Sequence, residues 1–293
     1  MSCEFLFPTI HEIAADHALR DYNSDRGATD YSHVMFFGAF VEDNIRFRQE
    51  FDNMLPISEP RLSLQAVIAA LVEGRVTRNE NPALFWVDLG GGTGRAQAEI
   101  INAKSRFANY VSALNVDVCE RRLRQKYRRK PDFMCADATT VQLPAKAGLI
   151  TCQFSLPYWH NPLLGVVNAY NQLEDGGLLN IGATSRYRWS RGIRDPKDDR
   201  PKDFPMTRVL QEFAMAGVPY ATKGHISMYG DNARSLQQFH QLYIKKIPST
   251  SMVLDATVES ISQYPPSCYR SGAAKIVTYR SDTAHSPIRV IKQ

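Results

Sequence analysis

The chain has 293 residues, 44% hydrophobic and 22% charged. That is ordinary for a soluble globular protein and enough to bury a full core, with one domain plus additions expected rather than two domains. The net charge of +5 is modest for a dedicated nucleic-acid binder, and the longest apolar runs fall short of a membrane span. Cys3, Cys119, Cys135, Cys152 and Cys268 are odd in number and form no C-x-x-C pair, so zinc and redox motifs are absent. The Met1-Ser-Cys-Glu start lacks the pattern of a secretory signal, and the expected setting is reducing and cytoplasmic.

From the N-terminus, Thr9 is placed to cap a first helix, with Glu12 three residues on as in a capping box. Further helices are predicted over 31–51 and 62–71. Residues 1–60 hold eleven acids against four Arg, a balance of −7 that leaves +12 on the remainder. We expect residues 1–80 to form a helical addition and residues 81–293 the core. The apolar run 84–87 predicts a buried parallel strand. It leads into Asp88-Leu89-Gly90-Gly91-Gly92-Thr93-Gly94, where glycines let the chain turn sharply and let a ligand approach the backbone. Helix formers over 95–103 complete a strand–turn–helix unit, which presents backbone N–H groups at a helix start. Arg95 breaks the G-x-G-x-x-G register of dinucleotide folds.

Residues 111–116 predict a second strand, closed by Asp117 and Val118. Residues 132–136 predict a third, followed by Asp137 and Ala138. An acid closing the second strand of a doubly wound sheet can bond both hydroxyls of a ribose; either Asp also suits a helix N-cap. Residues 148–154 predict a fourth strand, whose end runs Gln153-Phe154-Ser155-Leu156-Pro157-Tyr158-Trp159-His160. Asn161 then caps a helix to about residue 173, stopped by Glu174-Asp175-Gly176-Gly177, and 178–183 predict a fifth strand. The segment 185–230 is rich in charge and proline, with one amphipathic helix over 206–216 that Gly217 terminates. Leu236, Phe239, Leu242 and Tyr243 fall at helical spacing and predict a last helix over 232–246. Residues 252–261 and 274–279 predict a closing antiparallel hairpin, joined through Pro265-Pro266 and Ser271-Gly272. Cys135 and Cys152 fall in predicted strands and are expected to be buried thiols.

The series Asp88-x-Gly90-x-Gly92-x-Gly94, then Asp117 and Asp137 each past an apolar run, resembles the class I S-adenosylmethionine-dependent methyltransferases over roughly residues 82–184. The resemblance implies an α/β fold: a doubly wound, seven-stranded, mostly parallel sheet, with a helical N-terminal addition and an insertion, 185–230, before the last helix. It implies that S-adenosyl-L-methionine lies over Gly90, Gly91, Gly92 and Gly94, with Asp88 beside the turn. Asp117 is then expected on the ribose and Asp137 on the adenine amine, with Val118, Ala138 and Gln153 completing the cofactor set. It also implies that the loop after the fourth strand faces the transferred methyl group, and that 185–230 and the N-terminal helices enclose the acceptor. The sulfonium donor is already activated, so the protein chiefly orients the reactants and excludes water. A base is needed only where the acceptor atom carries a proton. His160 has a suitable pKa for that role and also suits a cap or surface position. Tyr158 and Trp159 can stack on a flat acceptor, box a cationic amine, or pack in the core.

Three readings of the acceptor stand. A small molecule is expected first: residues 82–94 look like the methyltransferase part of betaine-lipid synthases and related amine methyltransferases, and a helical lid suits a closed pocket. RNA is second: Cys152-Gln153-Phe154 with Tyr158, Tyr22-Asn23 and the aromatic-rich 36–44 resemble segments of mRNA cap guanine methyltransferases. Two stretches, 121–130 and 185–202, each hold seven basic residues, among them Arg186, Arg188, Arg191 and Arg194. Against RNA, Pro157 stands where that family has a histidine, the first motif lacks its Cys and Lys, and Asp195, Asp198 and Asp199, with Asp203 just beyond, dilute the second cluster. The third reading is a non-catalytic methyltransferase-like subunit that binds a partner.

Overall fold

A computed structural model describes residues 45–57, 63–118, 126–153, 155, 159, 162–184, 206–229, 236–255, 257–261, 277–280, 286 and 288–293. Its centre is a seven-stranded sheet in the order β3-β2-β1-β4-β5-β7-β6. The strands are β1 Leu84–Leu89, β2 Val111–Asp117, β3 Asp132–Cys135, β4 Ala147–Gln153, β5 Leu173–Thr184, β6 Tyr220–Tyr229 and β7 Leu236–Lys245. The first five run parallel, β7 runs antiparallel to β5, and β6 antiparallel to β7. The expected seven-stranded, mostly parallel α/β sheet is therefore present.

Strand alternation sorts the apolar side chains into two layers. On one face Val87, Leu89, Val116, Ile150, Ile181, Leu242 and Ile244 pack with residues of α4 (Pro162–Asn171) and α5 (Met206–Ala216). On the other, Leu84, Trp86, Ala113, Leu149, Leu178 and Tyr243 pack with α1 (Ile45–Met54), α2 (Leu64–Thr77) and α3 (Arg95–Ile101). Phe51 of α1 meets the Tyr243 ring edge-on, with centroids 4.9 Å apart. Full burial of one such large side chain contributes about 1.5–3 kcal/mol, so the two layers, rather than helix propensity, hold the sheet.

The local signals at helix ends work as their residue types dictate. The Ser63 hydroxyl accepts from the Ala66 N–H at 3.0 Å and caps α2. Gly217 ends α5 at φ +69°, with Gly217 N–H bonded to Ala214 O and Val218 N–H to Phe213 O. That pair of bonds satisfies the last carbonyls of the helix.

Several expectations are corrected. The last helix, predicted over 232–246, is strand β7. Gln241, Leu242, Tyr243 and Ile244 are all buried, because this strand is covered on both faces, and a run apolar on both sides mimics helical spacing. The predicted antiparallel pairing of 252–261 with 274–279 is present in part, as β9 (Thr257–Ile261) with β10 (Val277–Arg280), but in a small sheet of its own, while β8 (Thr250–Leu254) pairs with β11 (Ile288–Lys292) in another; the hairpin that closes the main sheet is β6–β7. In 185–230, read as an insertion, α5 and β6 belong to the core architecture. The Glu174–Gly177 turn lies inside β5, where the register jumps from Ala147↔Leu173 to Leu149↔Leu178. Gly176 N–H bonds Lys246 O there, so the glycines make a bulge rather than stop a helix. Of the predicted 31–51 helix, residues 31–44 lie outside the described residues; from Ile45 helix α1 is present and runs past residue 51, and α2 extends beyond residue 71. The predicted helix at Thr9 lies outside the described residues. Cys152 is buried as expected, but Cys135 is exposed, because β3 is an edge strand. Among the described residues no helix is long and apolar enough to cross a membrane.

Candidate functional site: the glycine turn and its supports

The site is built at the C-terminal ends of β1, β2 and β4. Beyond Leu89 the chain turns through Gly90, Gly92 and Gly94, all at positive φ, and enters α3 directly after Gly94. Gly90 N–H bonds Val116 O at 2.7 Å, which ties the turn to β2. Gly91 answers a different need: a Cβ there would lie 2.5 Å from both Asn115 Oδ1 and Asp88 Oδ2. The turn is thus pressed against two buried polar side chains, and only a bare backbone fits.

Two residues of β2 hold Gly92 at both of its polar atoms. The Asp117 carboxylate accepts from Gly92 N–H at 2.9 Å, and Asn115 Nδ2 donates to Gly92 O at 2.9 Å. They are two apart on one strand and so share a face. Asp88 stands behind the turn, only 6% exposed. Thr151 of β4 donates its hydroxyl to Asp88 Oδ1 at 2.6 Å, and Trp86 Nε1 donates to the same hydroxyl oxygen at 2.9 Å. Burial pushes the Asp88 carboxyl up to about 6; the Thr151 hydrogen bond opposes this, and the nearby Asp117 charge adds to it. Asn115 and Thr151 escaped the sequence reading, which took them as ordinary strand positions. The one signal available was a polar residue inside each apolar run.

The loop after β4 is fastened to the same turn. Ser155 Oγ donates to Leu89 O at 2.6 Å, receives Trp159 Nε1 at 3.2 Å, and lies 3.1 Å from Cys152 Sγ. A Cβ on Gly90 would collide with the Ser155 side chain. Trp159 is buried in the core, its ring against Gly165 of α4, so it braces the loop instead of facing an acceptor. Tyr158 and His160, the candidate catalytic residues, lie outside the described residues. Gln153 ends β4, its Nε2 donating to Asn180 Oδ1 at 2.5 Å.

At the other side of the site, Ala136 N–H bonds Asp117 O, which sets Asp137 just past β2. The Asp137 carboxylate accepts from Thr139 N–H at 3.0 Å and its carbonyl from Thr140 and Val141, so the residue shapes a local turn. The Ala138 side chain is in the core, which leaves only its backbone for a ligand, and Val118 is half-buried at the mouth. Asp88, Gly90–Gly92, Asp117 and Asp137 are thus brought together along one edge of the sheet. Among the described residues, no three His, Cys, Asp or Glu side chains are placed to hold a metal ion.

Residues 87–181, from β1 through the glycine turn into β5, match the family model described as a methyltransferase domain. With the sheet order and the glycine turn, this makes the domain one of the class I S-adenosylmethionine-dependent methyltransferase type, whose methyl donor is S-adenosyl-L-methionine. No curated protein matches the chain. Similar solved structures include the YcgJ protein from Bacillus subtilis, at 12% identity, 60% of this chain, 98% of that one and a TM-score of 0.37. Magnesium protoporphyrin IX methyltransferase from Synechocystis PCC 6803, with bound SAM, is similar at 15% identity over 79% of this chain and 96% of that one, with a TM-score of 0.38. The plantazolicin methyltransferase BpumL, in complex with a pentazolic desmethylPZN analogue and SAH, is similar at 13% identity over 81% of this chain and 98% of that one, with a TM-score of 0.39.

Proposed function

We propose that this protein transfers the methyl group of S-adenosyl-L-methionine to a small-molecule acceptor. The observation that carries the cofactor half is the Gly92 backbone held between Asn115 and Asp117, with the Asp88 carboxyl packed behind it. A rigid backbone turn bordered by carboxyls suits a cationic donor that carries a ribose diol. Asp117 binds the ribose, and Asp88 fixes the turn and adds negative potential behind it. Val118, Asp137 and the Ala138 backbone border the adenine. The bound donor supplies an activated methyl group, and the chain supplies orientation and exclusion of water. Where the acceptor atom carries a proton, His160 or Tyr158 is placed by sequence to receive it.

A small acceptor is favoured over RNA because a member of the first basic cluster is engaged structurally. Arg129 donates to the carbonyls of Ile101, Ala108 and Val111, fastening the end of α3 to the start of β2. Calorimetric titration with S-adenosylmethionine and S-adenosylhomocysteine tests the cofactor half. A radiolabelled methyl-transfer assay on lysate split into RNA, protein and small molecules tests the acceptor half. Label in the small-molecule fraction is expected; label in RNA overturns that half, and binding without any transfer leaves a non-catalytic subunit. Asp117→Ala, which removes the Gly92 and ribose bonds together, should cost about 1–3 kcal/mol of cofactor binding, roughly 5- to 150-fold. Unchanged affinity in the folded variant would return Asp117 to a purely local role.

A further inference from the structure

Beneath the glycine turn two side-chain oxygens face one spot, and no described residue donates to either of them there. Asp88 of β1 and Asn115 of β2 stand directly opposite in the strand register, so their side chains share a face of the sheet. Asp88 Oδ2 and Asn115 Oδ1 each lie 2.5 Å from the same point, where a Cβ on Gly91 would sit. Both groups are engaged on their far sides. Asp88 Oδ1 accepts the Thr151 hydroxyl, and Asn115 Nδ2 donates to Gly92 O. The second bond orients the amide, since only its nitrogen can serve the Gly92 carbonyl. Asn115 is 3% exposed, and its Oδ1 is buried with no hydrogen-bond partner.

A buried acceptor without a donor is destabilising, and two acceptors turned to one spot repel each other. A proton on Asp88 Oδ2 removes both faults. The carboxyl then accepts from Thr151 with one oxygen and donates to Asn115 with the other. Burial favours that neutral form, the Thr151 bond opposes it, and the Asp117 charge adds to it. A bond donated to Asn115 favours it further, because an ionised Asp88 cannot make that bond. Glu50 and Asp52 of α1, Glu73 and Arg75 of α2, and Arg95 and Glu99 of α3 belong to the helices on this face; of the described charges, Asp117 is the one that acts on Asp88. The same amide holds Gly92 O, so a proton that steadies Asn115 steadies the turn as well.

We propose that Asp88 Oδ2 carries a proton in the free protein and donates it to Asn115 Oδ1, and that binding of the cationic methyl donor above the turn drives this proton from Asp88 to solvent. Asn115 is then a positioning residue that acts through Asp88 and Gly92. The second half rests on the methyltransferase reading; the first stands without it. Infrared difference spectra of the full chain between about pH 5 and about pH 8 test the first half. A carboxylic-acid C=O band is expected at the lower pH and should vanish in Asp88→Asn. In Asn115→Leu it should move to higher frequency, because its O–H has lost its acceptor. An Asn115 that only shapes the turn would leave the band in place. Should Asn115→Leu not fold, 13C-labelled asparagine in the wild type carries the same test: the Asn115 amide C=O band should shift together with the Asp88 band. A water bridging the two oxygens, with Asp88 ionised, would give no acid band and overturn the inference. Calorimetric titration with S-adenosylmethionine, in two buffers of different ionisation enthalpy, counts the proton. Release is expected to rise to roughly one proton per bound cofactor near pH 5, and to be lost in Asp88→Asn. Binding without release, or with uptake, overturns the second half alone. No binding in either buffer overturns the parent reading and the second half with it, while the infrared result still decides the first.

Discussion

Asp88 is a carboxyl held behind the ligand surface, and its raised pKa makes it a measurable reporter. Its folded value of about 6 lies above that of an unfolded aspartate, so between these limits the folded state holds the extra proton. Its contribution is most favourable below about pH 4 and is lost as the pH rises through 6, a change on the order of 3 kcal/mol. Asp88→Asn, which keeps an acceptor for Thr151, should lack this slope; urea unfolding of both proteins from pH 4 to 7 checks it, and parallel curves would remove the idea. A cationic ligand favours the ionised carboxyl, so cofactor affinity should rise as the pH passes through about 6 and flatten in Asp88→Asn. Gly91→Ala probes the same spot sterically. Its Cβ meets Asp88 and Asn115 at 2.5 Å, and neither can move without breaking its bond to Thr151 or Gly92. A cost of about 1–3 kcal/mol in thermal unfolding is expected, together with loss of cofactor binding. At this scale the glycines and Asp117 were legible in the sequence because their chemistry is local. Asn115 and Thr151 were not, since what makes them matter is the neighbouring strand that each one reaches.

Elements were legible where one local rule sufficed. The strand–turn–helix unit at β1, the strand ends at Asp117 and Gln153, and α5 with its Gly217 cap all rest on short-range signals. Gly217→Ala tests that cap: with nothing within 4 Å of its Cβ position, only the left-handed backbone penalises alanine. A loss of about 1–2 kcal/mol is expected from thermal unfolding, and a neutral result would mean the helix end can re-form another way. Strand β7 was misread because its partners, β5 and β6, decide its state. Its Leu242 and Ile244 serve one layer and Tyr243 the other, so the period-two signal vanishes where burial is complete. The β5 bulge was misread for a related reason: Gly176 and Gly177 look like a helix stop, yet they answer to Lys246 across the sheet.

For the whole molecule, the small-acceptor and RNA readings predict different responses to salt. An RNA substrate would be held through phosphates, and its affinity would fall steeply between about 50 and 200 mM salt. A small enclosed acceptor that is not multiply charged should show little change over that range; a loss of tenfold or more, with retention of capped RNA, would favour RNA and turn Arg186, Arg188, Arg191 and Arg194 into working residues. The global layout was legible as far as β5, where acids follow strands in order, and was lost where long-range pairing replaces local pattern. That division also bears on protein engineering. The glycine signature looks like a cassette that could be cut from one chain and spliced into another. Its shape, however, is dictated from outside, by Asn115 and Asp117 gripping Gly92 and by Ser155 gripping Leu89. A graft of residues 88–94 alone would arrive as a floppy loop, and the smallest transferable unit is the turn together with the ends of its two neighbouring strands.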